Sequence, residues 1–207
     1  DDMVTESGAD ILFHTMLCAV EMADQDTVDV IIVNNKAGLT AYRAKVYIDC
    51  TGDADLAVCA GAEYTKGDSE GNLQPATMCF MLSNVDPYGY DHTYGILHAG
   101  NAKSPIHAII ASGKYPLIPD NHICNDYIGP ATMGFNAGHL WDVDNTDPVS
   151  VSGAMIKGRK MAAAFRDALA EFHPKAFGNA HLAATGSLIG VRETRRIVGD
   201  YCLTVED

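Results

Sequence analysis

Basic residues are scarce in this 207-residue chain. Only 14 Lys and Arg stand against 27 Asp and Glu, which gives a formal net charge of −13. Such a charge repels nucleic acids and anionic membrane surfaces at long range, so neither is an expected partner. Long apolar runs are also missing, since stretches such as 28–33 fall well below the roughly 18 residues that a membrane-spanning helix needs. A soluble protein is therefore expected.

Sequence motifs typical of redox-active thiols, metal sites and several enzyme classes are absent as well. The six Cys include no CxxC pair, so we expect reduced and mostly buried thiols, and the eight His show no metal-ligand spacing. A loop that starts at Asp142 fails the EF-hand pattern, because Asp147 and Gly153 stand where Gly and Glu are required. No P-loop, GxSxG or GxGxxG motif occurs. No metal site is expected.

The chain opens on Asp1 without an initiator Met and stops at Asp207 after a strand-like run. It therefore reads as a piece of a longer protein. A piece of this kind does not show whether a signal peptide precedes it, so cytoplasmic and periplasmic locations both stay open.

The segments that are present predict an α+β fold, with a β-meander followed by a mixed sheet with helices. Residues 11–22, 27–34 and 41–50 are rich in Val, Ile, Leu and Tyr, and the Asn and Gly at 34–38 favour a hairpin turn between the last two. We expect these three segments to form the meander. A short helix on an acidic cap is predicted from residue 55.

The second half of the chain alternates between loops and regular structure. Residues 86–148 hold six of the eight Pro and five of the eight His, which predicts long loops around a site, with a short helix near 107–112. A helix capped by Ser150 or Ser152 should run to about Phe172, with Met161, Phe165, Leu169 and Phe172 on one apolar stripe that faces a core. A strand should span 187–205. A further strand is predicted at 77–82.

Two segments are candidates for ligand binding. Residues 47–55 read as an apolar strand that ends in Thr51 and Gly52, small residues that let a ligand approach the backbone. Residues 192–196 contain three of the six Arg of the chain. As a strand, this segment would place Arg192 and Arg196 on one face and pair Arg195 with Glu193 on the other. The role of these Arg residues is either to recognise a carboxylate or phosphate, or to form ion pairs with the surplus acidic residues.

These two segments resemble an FAD-dependent oxidoreductase family of the glutathione reductase-like group. Residues 43–57 resemble the second flavin motif of that group, with Cys50 in place of Ala, and residues 190–201 resemble a signature more specific to the family. The resemblance implies that the backbone around Leu17 meets the adenine of FAD. It also implies that Thr51, Gly52 and Asp53 lie near the nucleotide. In such proteins an N-terminal unit carries GxGxxG, so the remainder of the polypeptide is an expected partner.

Residues 1–55 are therefore predicted to complete an FAD-binding domain, and residues 56–207 to form the substrate-side domain. Arg192 and Arg196 are the candidate catalytic residues, orienting an anionic small molecule or a sugar-type substrate during oxidation. The 207 residues alone are expected to be inactive and to bind FAD weakly. Two alternatives remain: a polysaccharide lyase that uses Arg with His or Tyr, and a binding module without catalysis.

Overall fold

The structure is a computed structural model that describes residues 1–207. It contains both helices and strands, which confirms the α+β class. None of its helices combines the length and the apolar character needed to cross a membrane. In chain order the helices are α1 (Asp2–Glu6), α2 (Asp55–Cys59), α3 (Pro87–Asp91), α4 (Pro105–Ser112), α5 (Pro148–Phe172) and α6 (Pro174–Phe177). The strands are β1 (Met16–Met22), β2 (Val28–Asn35), β3 (Gly38–Tyr42), β4 (Tyr64–Thr65), β5 (Phe80–Ser83), β6 (Ile123–Gly129), β7 (Thr132–Ala137), β8 (His181–Thr185) and β9 (Arg196–Ile197).

The chain forms two compact units. Unit 1 comprises Asp1–Lys66 and Arg195–Asp207, and unit 2 comprises Gly67–Thr194. The functional boundary predicted after residue 55 falls inside unit 1, because α2 and β4 also belong to it.

Unit 1 is built on the predicted meander. Strands β1, β2 and β3 pair antiparallel in that order, and Asn35 faces Gly38 across the predicted hairpin turn. The side chain of Asn35 accepts a hydrogen bond from the Ala37 N–H, and Gly38 has a φ of 101°, which side chains rarely tolerate. Only Val30 and Val33 are buried apolar side chains in this unit.

The third predicted strand is wrong beyond Tyr42. Residues 43–50 are irregular, and Val46 and Ile48 are 72% and 80% exposed. A strand needs a neighbouring strand for its backbone hydrogen bonds, and no strand pairs with this segment. The Tyr47 hydroxyl instead donates to the Asp29 carbonyl and accepts from the Ala44 N–H.

Unit 2 contains a four-stranded antiparallel sheet in the order β6-β7-β5-β8, with helix α5 packed against β8. Of the predicted stripe on α5, Met161, Phe165 and Leu169 are fully buried, and Phe172 is partly buried against the core. Phe165 stacks on Phe80 with a centroid distance of 5.7 Å. The helix begins earlier in the chain than predicted, because the Asp147 carboxylate accepts from the Val149 N–H and serves as its cap.

Three further predictions fail. Residues 86–148 contain the β6–β7 hairpin in addition to loops, and only 196–197 of the predicted strand 187–205 are paired in a strand. In that last segment Gly190 forms an isolated bridge with Thr77, and residues 191–195 have no strand partner before β9 pairs with β4. The six cysteines are free and exposed rather than buried. Cys124, for example, follows the buried Ile123 on β6 and therefore points outward.

Candidate functional site

The Thr51–Gly52 junction of unit 1 exposes its backbone. Both residues are exposed, and Gly52 has a φ of 83°. A Cβ built on Gly52 would meet no atom within 4 Å. A ligand can therefore reach the backbone here without displacing another part of unit 1.

Asp49 orders this junction, a role that the sequence interpretation missed. One carboxylate oxygen accepts from the N–H (2.9 Å) and the hydroxyl (2.7 Å) of Thr51, and the other accepts from the Ala57 N–H at 2.9 Å. The Thr51 hydroxyl in turn accepts from the Asp55 N–H. Asp49 and Thr51 therefore accept hydrogen bonds from backbone N–H groups at the start of α2. The cap position of this helix is Ala54 and not the predicted acidic residue.

The same contacts determine the charge of Asp49. Burial acts to raise the pKa of this carboxyl, but hydrogen bonds from Ala57 and Thr51 outweigh it and hold the pKa below its usual range. A permanent negative charge therefore lies at the start of α2.

Leu17 lies on β1, half-buried and opposite Val33. Strand β1 is an edge of the meander, so one side of its backbone is not paired within the sheet. Helix α2 contacts β1. Within unit 1, the strand of Leu17 and the helix that follows Asp53 are thus packed together.

The arginine cluster is divided between the units. Arg195 and Arg196 belong to unit 1, whereas Arg192 belongs to unit 2. Arg195 forms an ion pair with Asp55 and lies over the Tyr64 ring, 5.9 Å from its centroid. The pairing of Arg195 with Glu193 stays a prediction, and the contact of Arg195 with Asp55 was not predicted. The Glu193 carboxylate accepts from the Gln74 N–H at 3.1 Å.

A cluster of histidines in unit 2 was not predicted. The Asp120 carboxylate joins two of them, since one oxygen lies 2.9 Å from His139 Nδ1 and the other accepts from the His122 backbone N–H at 3.0 Å. The two imidazole rings stack with a centroid distance of 4.1 Å, and Trp141 packs against His139 at 5.2 Å. We call Asp120, His122, His139 and Trp141 the histidine cluster.

The hairpin of unit 2 creates this cluster. His122 immediately precedes β6, His139 follows β7 by two residues, and the Gly138 N–H donates to the His122 carbonyl at 2.9 Å. Gly138 has a φ of 72°, and a Cβ there would lie 2.3 Å from Met161 Sδ. Only glycine therefore fits at the position where the chain leaves the strand pairing of β6 and β7. The clustering of His in residues 86–148 was the available signal, but it did not show which of them would meet.

Charges around the cluster act on His122. Burial is the main cause that lowers the pKa of His122, and His139, Arg192 and His98 lower it further against the opposing effect of Asp120. His122 is therefore neutral at pH 7. The same interaction shows that the charge of the candidate residue Arg192 reaches the histidine cluster.

A groove of about 560 Å³ lies on the outward face of the four-stranded sheet. Its lining includes Cys79, Met81, Cys124, Asp126, Ile128 and Asn136. None of the four residues of the histidine cluster lines this groove. No group of three or more His, Cys, Asp or Glu in the chain is arranged to hold a metal ion.

A sequence profile of FAD dependent oxidoreductases matches residues 1–207. The chain belongs to this family. Comparisons with curated proteins and with solved structures found no match.

The FAD of this family is compatible with unit 1. The backbone at Gly52 is open, and one edge of β1 is unpaired within the sheet, so neither position is blocked by the meander itself. The N-terminus of α2 is less suited to the pyrophosphate, because the Asp49 carboxylate already occupies it and would repel a second anion.

Proposed function

We propose that the chain serves the FAD-dependent oxidation of a small organic anion. Unit 1 holds part of the FAD, and unit 2 binds the substrate. FAD supplies the two-electron chemistry in the family, so the tasks of these residues are to bind, orient and exchange protons. The observation that carries the proposal is the open backbone at Gly52, beside the ordered carboxylate of Asp49.

On the cofactor side, we propose the backbone around Leu17 and the junction Thr51, Gly52 and Asp53 as the contacts with FAD. The family resemblance supports this assignment, and so does the packing of α2 on β1. The GxGxxG unit of a glutathione reductase-like protein would supply the pyrophosphate contacts from outside these 207 residues.

On the substrate side, we propose that Arg192 attracts the carboxylate of the substrate. Arg196 lies exposed on β9 of unit 1 and is a second candidate for contact with an anion. The apolar side chains of Met81 and Ile128 in the groove favour an organic acid with an apolar body over a sugar. Membership of the oxidoreductase family favours this function over a polysaccharide lyase or a binding module without catalysis.

Two glycines of unit 1 provide a matched test. Gly52 and Gly61 have φ values of 83° and 93°, and a Cβ added to either would meet no atom within 4 Å. Alanine at either position costs a similar strain, about 1–2 kcal/mol. In the full-length enzyme, Gly52→Ala should lower the flavin content of the purified protein, and Gly61→Ala should not. Full flavin content in Gly52→Ala would contradict the cofactor assignment.

The weak binding expected of the 207 residues alone is tested separately. Titration of this chain with FAD, followed by flavin fluorescence, should give little binding. A dissociation constant below about 1 μM, equivalent to about −8 kcal/mol, would show that the main flavin contacts lie within these residues.

A further inference from the structure

We propose that His139 is a general base, oriented by Asp120, and that its Nε2 accepts a proton from a 2-hydroxy acid attracted by Arg192. The identity of the substrate rests on the proposed function, the oxidation of a small organic anion. The proton-accepting site itself rests on the geometry of the histidine cluster.

The contact with Asp120 selects the reactive nitrogen. Nδ1 of His139 lies 2.9 Å from the carboxylate and donates its proton to it. In the neutral ring the lone pair is then on Nε2, which makes no hydrogen bond within the chain. The His139 side chain is 19% exposed, and its unpartnered Nε2 is not a fully buried atom, so a small molecule can reach this nitrogen.

The ring of His139 is held in one orientation. Asp120 is itself fixed, because its second oxygen accepts from the His122 backbone N–H. The His122 ring covers one face of His139 at an interplanar angle of 13°, and Trp141 packs against it at 61°. A base that is already oriented needs no rearrangement when the proton is transferred.

The charges near His139 favour this role. His122 is neutral at pH 7, so it does not repel a proton that arrives on the adjacent ring. The positive charge of Arg192 acts on His122, so a cation that can attract an anion lies near the cluster. Asp120 balances the imidazolium that forms.

The proton transfer is balanced in itself. The O–H bond of the substrate hydroxyl breaks, and its electron pair stays on the oxygen. A new N–H bond forms at Nε2 of His139, and the ring becomes an imidazolium paired with the Asp120 carboxylate.

The first test measures the reactivity of His139 in the 207-residue chain. Diethyl pyrocarbonate modifies unprotonated imidazole nitrogens, and mass spectrometry gives the rate for each histidine. His139 should react faster than the exposed His181 in spite of its lower exposure, and 2-hydroxyoctanoate should protect it. Octanoate, which lacks the hydroxyl, should protect less. In Arg192→Ala the protection by 2-hydroxyoctanoate should be lost.

Two variants distinguish a general base at His139 from a residue with only a structural role. Asp120→Asn keeps an oxygen acceptor for His139 but removes the charge, so it should slow the modification of His139 and leave His181 unchanged. His139→Gln can still donate to Asp120 but carries no base. In the flavin-loaded enzyme it should lower kcat for 2-hydroxy acids by about 100-fold with little change in KM or melting temperature.

The outcomes distinguish this proposal from the proposed function. If His139 reacts no faster than His181 and 2-hydroxyoctanoate gives no protection, His139 is a structural residue and the proposal is overturned. If His139 is reactive and protected but Gly52→Ala retains its flavin, the proton-accepting site stands and the cofactor assignment fails.

Discussion

Units 1 and 2 differ in how their side chains are buried. Unit 2 has a continuous apolar core in which Phe80 stacks on both Phe135 and Phe165, whereas unit 1 buries only Val30 and Val33. Apolar burial is the main stabilising contribution to a fold. Unit 2 should therefore owe its stability to packing, and unit 1 to the backbone pairing of its meander and to a few polar contacts.

The candidate sites follow the same division. The histidine cluster lies at the end of a hairpin in the well-packed unit, where Met161 leaves no space for a side chain at Gly138. The Thr51–Gly52 junction lies in the unit with little core, and hydrogen bonds to Asp49 order it. In unit 2, apolar packing thus holds the side chains of the histidine cluster in position. In unit 1, polar contacts order an open stretch of backbone.

The core of unit 2 should produce the largest change when it is altered. Phe165→Ala removes a fully buried ring and should cost unit 2 about 3–5 kcal/mol, whereas Val33→Ala in unit 1 should cost roughly 1–2 kcal/mol. Hydrogen exchange of peptides from β5–β8 and from β1–β3 would measure both units in each variant. Equal loss of protection in the two units after Phe165→Ala would show that they unfold together, and the comparison would fail.

The loss of a polar contact in unit 1 should give the second largest decrease in stability. The Arg195 side chain is only 15% exposed in its pair with Asp55, so Arg195→Met leaves a half-buried carboxylate and should destabilise unit 1 by about 1–3 kcal/mol. Arg43, 70% exposed in its pair with Asp29, is the control, and Arg43→Met should have little effect. Denaturant unfolding measures both. If the two variants lose the same stability, Arg195 is not a structural residue of unit 1.

Unit 2 should lose stability in acid because of His173. This ring is fully buried against Tyr94 and Phe177, neither nitrogen has a hydrogen bond, and burial lowers its pKa. The unfolded chain takes up the proton at a higher pH than the folded one. The contribution of a neutral His173 is therefore complete above about pH 6.5 and declines as the pH falls, by at most about 1.4 kcal/mol per pH unit.

Comparison of stability at pH 7.5 and pH 5.5 checks this effect. His173→Phe should flatten the decline in unit 2, and His181→Phe, at an exposed position, should not. The lowered pKa of His122 acts in the same direction, so part of the decline should remain. A decline unchanged by His173→Phe would show that other groups take up the protons.

The smallest effect is expected at Asp49. Asp49→Asn weakens the hydrogen bonds from Ala57 and Thr51 and should cost unit 1 about 1 kcal/mol, as the loss of a helix cap does. It should also lower flavin content if the junction binds FAD. Thermal unfolding and flavin absorbance measure the two effects, with Asp24→Asn in an exposed turn as the control. Unchanged values for both would mean that Asp49 does not order the junction.

The amino-acid sequence by itself determined the local features of this protein. The spacing of Met161, Phe165 and Leu169 predicted the buried stripe of α5, and Asn35 with Gly38 predicted the hairpin of the meander. Both depend on contacts between residues close in the chain, where backbone geometry and side-chain periodicity decide the conformation. The family resemblance likewise rests on short motifs.

Tertiary structure decided the features that depend on distant residues. Asp120 meets His139 across a separation of 19 residues and Asp55 meets Arg195 across 140, so no local pattern could specify either pair. Residues 43–50 have the composition of a strand but form none, because a strand forms only where a neighbouring backbone completes its hydrogen bonds. Partners of this kind are brought together by the packing of the whole unit. The composition and residue spacing of a single segment do not predict that packing.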